Sequence, residues 1–222
     1  REEPVAEAPF QAEPDDALRV FPDGRPPANA LDAAGLTAQW RSACAAQLKA
    51  QLPRDTAGLD RFRHTYAPAL RRALSLAEPG AVTAELGAAK TDGNVTATTL
   101  VIRASARGAS LPAVLHRPAS LKRGPAVLWI DRGGRDGLPH PELALLLQKG
   151  LQVLSLDCFA TGSQVPLPGA PARDPDADFF ETYNRTDCAE RVYDITVAAT
   201  WRASRKETRG LALFGTGEGG LW

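Results

Sequence analysis

Gly210-Leu211-Ala212-Leu213-Phe214-Gly215-Thr216-Gly217-Glu218-Gly219-Gly220-Leu221-Trp222 is the stretch on which the reading of this chain turns. The apolar run Leu211 to Phe214 predicts a strand. It enters a turn crowded with glycine, after which Leu221-Trp222 resume an apolar pattern that would open a helix. In a strand, tight turn and helix of this kind, the outer glycines of G-x-S-x-G let the helix approach the strand while the central side chain stands exposed at the apex. Here the centre is Gly217, which has no side chain.

Other uses of such glycines need different neighbours. A phosphate-binding loop of the form G-x-x-x-x-G-K-[ST] requires a lysine that does not follow. Gly215, Gly217 and Gly220 meet G-x-G-x-x-G in form, but a dinucleotide site uses the first strand of its domain and this strand comes after several others. A tight turn with no chemical task is the remaining alternative. Glu218, next to the apex, would point its carboxylate away from it and offer its backbone N–H instead.

Upstream, Ala126 to Ile130 is a continuous apolar run, as expected of a strand buried on both faces. Asp131-Arg132-Gly133-Gly134 follows it. A loop there can supply a backbone N–H that, with the N–H after the apex, holds a developing negative oxygen, which makes Gly133 and Glu218 the oxyanion-hole candidates. A glycine-rich strand-to-helix connection without that task fits the same residues. A helix over Pro141 to Lys149 and a strand over Val153 to Leu156 come next. The loop Asp157-Cys158-Phe159-Ala160-Thr161-Gly162-Ser163 fits D-x-x-G-x-G with Ala160 at the first glycine. A helix from about Asp187 to Ser204 leads to the last strand, with Asn184 as its expected cap, and the alternation predicts a parallel sheet.

Earlier segments have other periods. Leu36, Trp40, Cys44 and Leu48 recur at helical spacing, as do Phe62, Tyr66, Leu70 and Leu74, with Pro68 able to kink or split the second helix. After Pro79-Gly80 the pattern becomes strand-like: Val82 to Glu85 and Val95 to Arg103 flank a Thr91-Asp92-Gly93-Asn94 turn, and Leu111 to His116 forms a third strand. The predicted organisation is an extended or disordered segment over 1–30, a helical cover over 31–80, and an α/β unit over 81–222 with an initial antiparallel hairpin and a mostly parallel twisted sheet.

Lys plus Arg balance Asp plus Glu at 26 each, which leaves no field to draw in nucleic acid or an anionic membrane. No apolar run is long enough to span a membrane. The 3 cysteines, Cys44, Cys158 and Cys188, read as small buried residues or at most one bridge, and His64, His116 and His140 show no metal-ligand spacing. No cofactor or metal is expected. Arg1 to Pro14 is rich in Glu, Ala and Pro, and the chain has no methionine, so Arg1 is read as following a removed leader. That predicts export to the periplasm or beyond, with the cytoplasm as the other option.

The order and spacing of these loops and elements resemble the bacterial acetyl xylan esterase and dienelactone-hydrolase-like branch of the α/β hydrolases, with similarity to prolyl-oligopeptidase-type domains, from about Val82 to Trp222. The resemblance implies an α/β-hydrolase fold, of which this is the N-terminal part. It also implies hydrolysis of a small ester or acylated carbohydrate through a serine acyl-enzyme, with an acidic residue and a histidine following in chain order. Gly217 takes the place of that serine, and the other two partners would lie beyond Trp222. The expectation is therefore an inactive hydrolase-type chain or a non-catalytic binding or structural subunit. Its last strand would be an open sheet edge covered by the missing C-terminal half or another subunit.

Overall fold

The computed structural model describes residues 9–21, 23–171 and 173–222. The first eight residues of the segment expected to be extended therefore lie outside the described residues. The chain divides into two compact units, Arg1–Arg63 and His64–Trp222.

The first unit holds one short turn of helix, α1 (Asp15–Leu18), the helix α2 (Ala33–Gln51) and the start of α3 (Thr56–Ala73). Asp32 caps α2 by accepting from Gly35 N at 2.7 Å, which satisfies one of the otherwise orphaned N–H groups of the first turn. No residue of α2 is buried, so its apolar row of Leu36, Trp40 and Leu48 faces outward. α3 continues through Pro68 as one helix, and the division between the two compact units falls inside it.

The second unit is built on a six-stranded sheet. Its strands are β1 (Val82–Asp92), β2 (Val95–Ala104), β3 (Ala109–Pro118), β4 (Gly124–Ile130), β5 (Gln152–Leu156) and β6 (Thr208–Gly215). The spatial order is β1-β2-β3-β5-β4-β6. β1, β2 and β3 form an antiparallel meander, and β3 also meets β5 antiparallel. β4 lies between β5 and β6, parallel to both. Between β4 and β5 runs α4 (His140–Gln148); between β5 and β6 come the single turn α5 (Phe180–Tyr183) and the long helix α6 (Asp187–Ala203).

Because side chains alternate across a strand, the apolar run of β4 serves two cores at once. Leu128 and Ile130 join Leu154, Leu156 and the α6 residues Tyr193, Val197 and Trp201 on one face. Trp129 packs with Val153, Leu138 and the α4 residue Leu147 on the other. The cap of α6 differs from expectation: Thr186 Oγ1 accepts from Ala189 N at 3.1 Å, whereas Asn184 closes α5. A β-branched hydroxyl directly before the first turn reaches the N3 amide, and Asn184 sits too early to do so.

β6 is one of the two edge strands, hydrogen-bonded to β4 alone among the described residues, and Leu213 and Phe214 are about half exposed. The three cysteines are unpaired, and only Cys158 is buried. No helix of the described residues is long and apolar enough to cross a membrane. Leu154, fully buried in β5, and Leu213 on the edge carry the same side chain in opposite settings. Leu154→Ala is expected to cost about 2–5 kcal/mol and Leu213→Ala less than about 1 kcal/mol, read as denaturant midpoints at unchanged slope.

Candidate functional site

Three loops leave the carboxyl ends of the parallel strands, the side on which open α/β sheets bind ligands. They are the Asp131 loop after β4, the Asp157 loop after β5 and the glycine turn after β6.

The glycine turn has the shape expected of an elbow. Gly217 takes φ +53, the left-handed conformation that side chains avoid, and the backbone then winds into a 3₁₀ turn over Gly217–Gly220. A Cβ on Gly215 would stand 2.4 Å from the Gly219 carbonyl oxygen, and one on Gly219 would stand 2.6 Å from that of Ile130. These two glycines are required because the turn folds back on itself and rests on the end of β4. At Gly217 a Cβ would meet nothing within 4 Å. The apex is the one open position of the three.

The turn is fastened to β4 by Thr216. Its N–H donates to the Ile130 carbonyl at 2.9 Å and its hydroxyl donates to Asp131 Oδ2 at 2.6 Å. Trp129 Nε1 donates to the same hydroxyl at 3.1 Å, and the Trp129 ring lies 4.7 Å from that of Phe214. Thr216 and Trp129 escaped the sequence reading. Trp129 looked like core, which it is at 3% exposure, but the indole N–H of a buried tryptophan needs an acceptor, and that requirement was the available signal.

Of the oxyanion candidates, Gly133 N donates to Asp131 Oδ1 at 2.7 Å, within its own loop. Its N–H is therefore turned toward a carboxylate and not toward the apex. The Glu218 carboxylate accepts from Arg132 Nη1 at 2.7 Å in an exposed pair that ties the first loop to the third. An exposed ion pair of this kind contributes little to stability.

Asp157 links the first two loops. It is fully buried; Oδ1 accepts from Arg135 N at 2.8 Å, and Oδ2 accepts from Ser163 N at 3.0 Å and Ser163 Oγ at 2.6 Å. Gly134 and Gly162 close around it, since a Cβ on either would lie 2.3 or 2.2 Å from Asp157 Oδ1. Ser163 is thereby held by a carboxylate and lacks the exposed apex position of a nucleophile. Burial raises the Cys158 thiol well above its ordinary range, which leaves it unreactive.

Asp194 on α6 holds the next residue, its Oδ2 accepting from Phe159 N at 2.7 Å. Burial raises its pKa from 3.8 to about 7, with the Phe159 N–H opposing and the nearby Glu190 charge adding to the rise. The structure also brings together two histidines that are remote in sequence: His116 and His140 line one cavity with Arg135 and Asp136. Burial lowers the pKa of His116, and the His140 charge lowers it further. No cluster of three or more metal-ligating side chains occurs among the described residues.

No protein-family model and no curated protein sequence matches the chain. Solved structures do. A Bacteroides fragilis protein assigned as an acetyl xylan esterase matches with a TM-score of 0.62 at 14% identity, over 91% of this chain and 57% of its own. Acetyl xylan esterase 1 from Thermoanaerobacterium sp. matches with a TM-score of 0.52 at 17% identity, over 70% and 51%. A glucuronoyl esterase from Solibacter usitatus matches with a TM-score of 0.51 at 16% identity, over 75% and 54%. The chain has the α/β-hydrolase fold. It spans a little over half the length of these hydrolases, and at such identities the likeness is one of fold.

Two outcomes follow from this geometry. Gly219→Ala is expected to lower stability by about 3 kcal/mol, because backbone must move to admit the methyl group. Gly217→Ala should lower it by only about 1–2 kcal/mol, the cost of the left-handed conformation; thermal melts of both variants check the order. For Asp194, the native state keeps a proton between pH 3.8 and about 7 that the unfolded chain has released. Its contribution to stability is present in full below the lower value and lost as pH rises through the upper one. Urea midpoints measured across that window should decline less for Asp194→Asn than for the unaltered protein.

Proposed function

We propose that the protein is an esterase-type α/β hydrolase, related to enzymes acting on acetylated carbohydrate or another small ester, whose elbow has lost its nucleophile. The carboxyl-end loops of the sheet then bind such a ligand without forming an acyl-enzyme. The observation that carries this reading is Gly217: the left-handed apex, the two obligatory flanking glycines and the room for a side chain are present, and the hydroxyl is not. The solved neighbours named for acetyl xylan and glucuronoyl ester cleavage support the substrate class.

Two further parts belong to the same reading. Export is supported by the Glu-, Ala- and Pro-rich opening stretch. A further segment or a subunit lying along β6 is supported by the exposed Leu213 and Phe214 and by the apolar groove they form with Val127, Leu145 and Leu146.

p-Nitrophenyl acetate hydrolysis and fluorophosphonate labelling test the vacated elbow. The full-length protein is expected to hydrolyse the ester at the buffer rate and to remain unlabelled, while Gly217→Ser should become labelled at position 217. Turnover and serine labelling of the unaltered protein would overturn the reading.

A further inference from the structure

The opposite end of the sheet carries a second concavity. Gln152 begins β5 and Glu207 immediately precedes β6, so both stand at the amino ends of the parallel strands, away from the glycine turn. Around them lies a cavity of about 340 Å³, also lined by Trp201, Arg202, Arg117 and Arg205. Its volume falls within the range of small-molecule sites. Leu86, Leu100 and Leu115 supply an apolar wall.

Arg202 is only 2% exposed, yet no carboxylate lies within ion-pair distance of it among the described residues. Its one side-chain partner is neutral: Nη2 donates to Gln152 Oε1 at 2.6 Å. Gln152 is oriented for this, because its Nε2 donates to the Gly124 and Glu207 carbonyls, each at 3.1 Å, and only its oxygen remains for Arg202. Arg202 Nε is buried without a partner, and so is Nε1 of the adjacent Trp201. Burying a charge without a counterion is costly, and buried donors left unmade cost the desolvation of each group.

Both unpaired groups are donors that cannot accept. A ligand held by the side chains that carry them must bring acceptor atoms, and three arginines against one glutamate in the lining set its charge as negative. Burial lowers the pKa of Arg202, and the nearby Glu207 charge opposes this while Arg205 and Arg117 add to it. An anion beside the guanidinium would relieve both burial and repulsion. The leucine wall requires that the anion carry hydrocarbon.

We propose that this cavity is a binding site for a small amphiphilic carboxylate, with the carboxylate on Arg202 and the hydrocarbon against Leu86, Leu100 and Leu115. A planar guanidinium matches a carboxylate in a forked, two-bond geometry, and Arg117 and Arg205 add attraction from the cavity lining.

Isothermal titration of the full-length protein with octanoate, octanol and inorganic phosphate tests it. Octanoate is expected to bind, with octanol and phosphate each weaker by about tenfold or more, since one lacks the charge and the other the tail. Arg202→Met should weaken octanoate by at least about tenfold while the melting temperature holds or rises, because an unpaired buried charge has gone. Should that variant fail to fold, the double variant Arg117→Gln/Arg205→Gln is expected to weaken octanoate about threefold or more. Absence of octanoate binding up to about 10 mM, equal affinity for octanol or phosphate, or indifference to these substitutions would each overturn the proposal.

Discussion

The carboxyl end of the sheet depends on the burial of one carboxylate. Asp157 has no contact with solvent, and its oxygens accept from backbone and side chain in both its own loop and the Asp131 loop. A buried carboxylate is tolerated only where donors surround it, so neither loop can move without exposing an unmet charge. The glycines follow from it: Gly134 and Gly162 leave the space the carboxylate occupies. Through Asp131 and Thr216 the constraint reaches the third loop, whose turn is seated on the end of β4.

The apex of that third loop is consequently a position of fixed shape that carries no side chain. The conformation at Gly217 is imposed by Gly215 and Gly219 together with the Thr216 contacts, and none of these needs a side chain at the apex. The turn therefore keeps its shape without any contribution from a side chain at position 217.

The two ends of the sheet contrast in their polar groups. At the carboxyl end the buried charge, Asp157, is saturated with donors; at the amino end the buried charge, Arg202, has one neutral acceptor and an unpaired Nε. The first arrangement resists change. The second borders a cavity wide enough for a small molecule.

Much of the architecture was legible in the sequence because periodicity and glycine reflect backbone geometry directly. The run Ala126 to Ile130 announced a strand buried on both sides, and the glycines from Gly215 to Gly219 announced a tight turn. The reading of the caps went astray at Asn184, since two nearby polar residues can each cap a helix and only the path of the chain selects Thr186. The expected burial of Cys44 and Cys188 failed as well, because local pattern does not record which face of a helix meets a neighbour.

The sequence by itself determined the strand running into a tight glycine turn, the hydrolase-like succession of loops and the absence of a hydroxyl at Gly217. Only the tertiary structure decided that Gly133 turns its N–H to Asp131, that Thr216 and Trp129 fasten the elbow, and that Gln152 and Arg202 meet beside a cavity. Such facts are pairings between groups far apart in the chain. A hydrogen bond depends on distance and direction in space, and those exist only once the strands have been laid side by side.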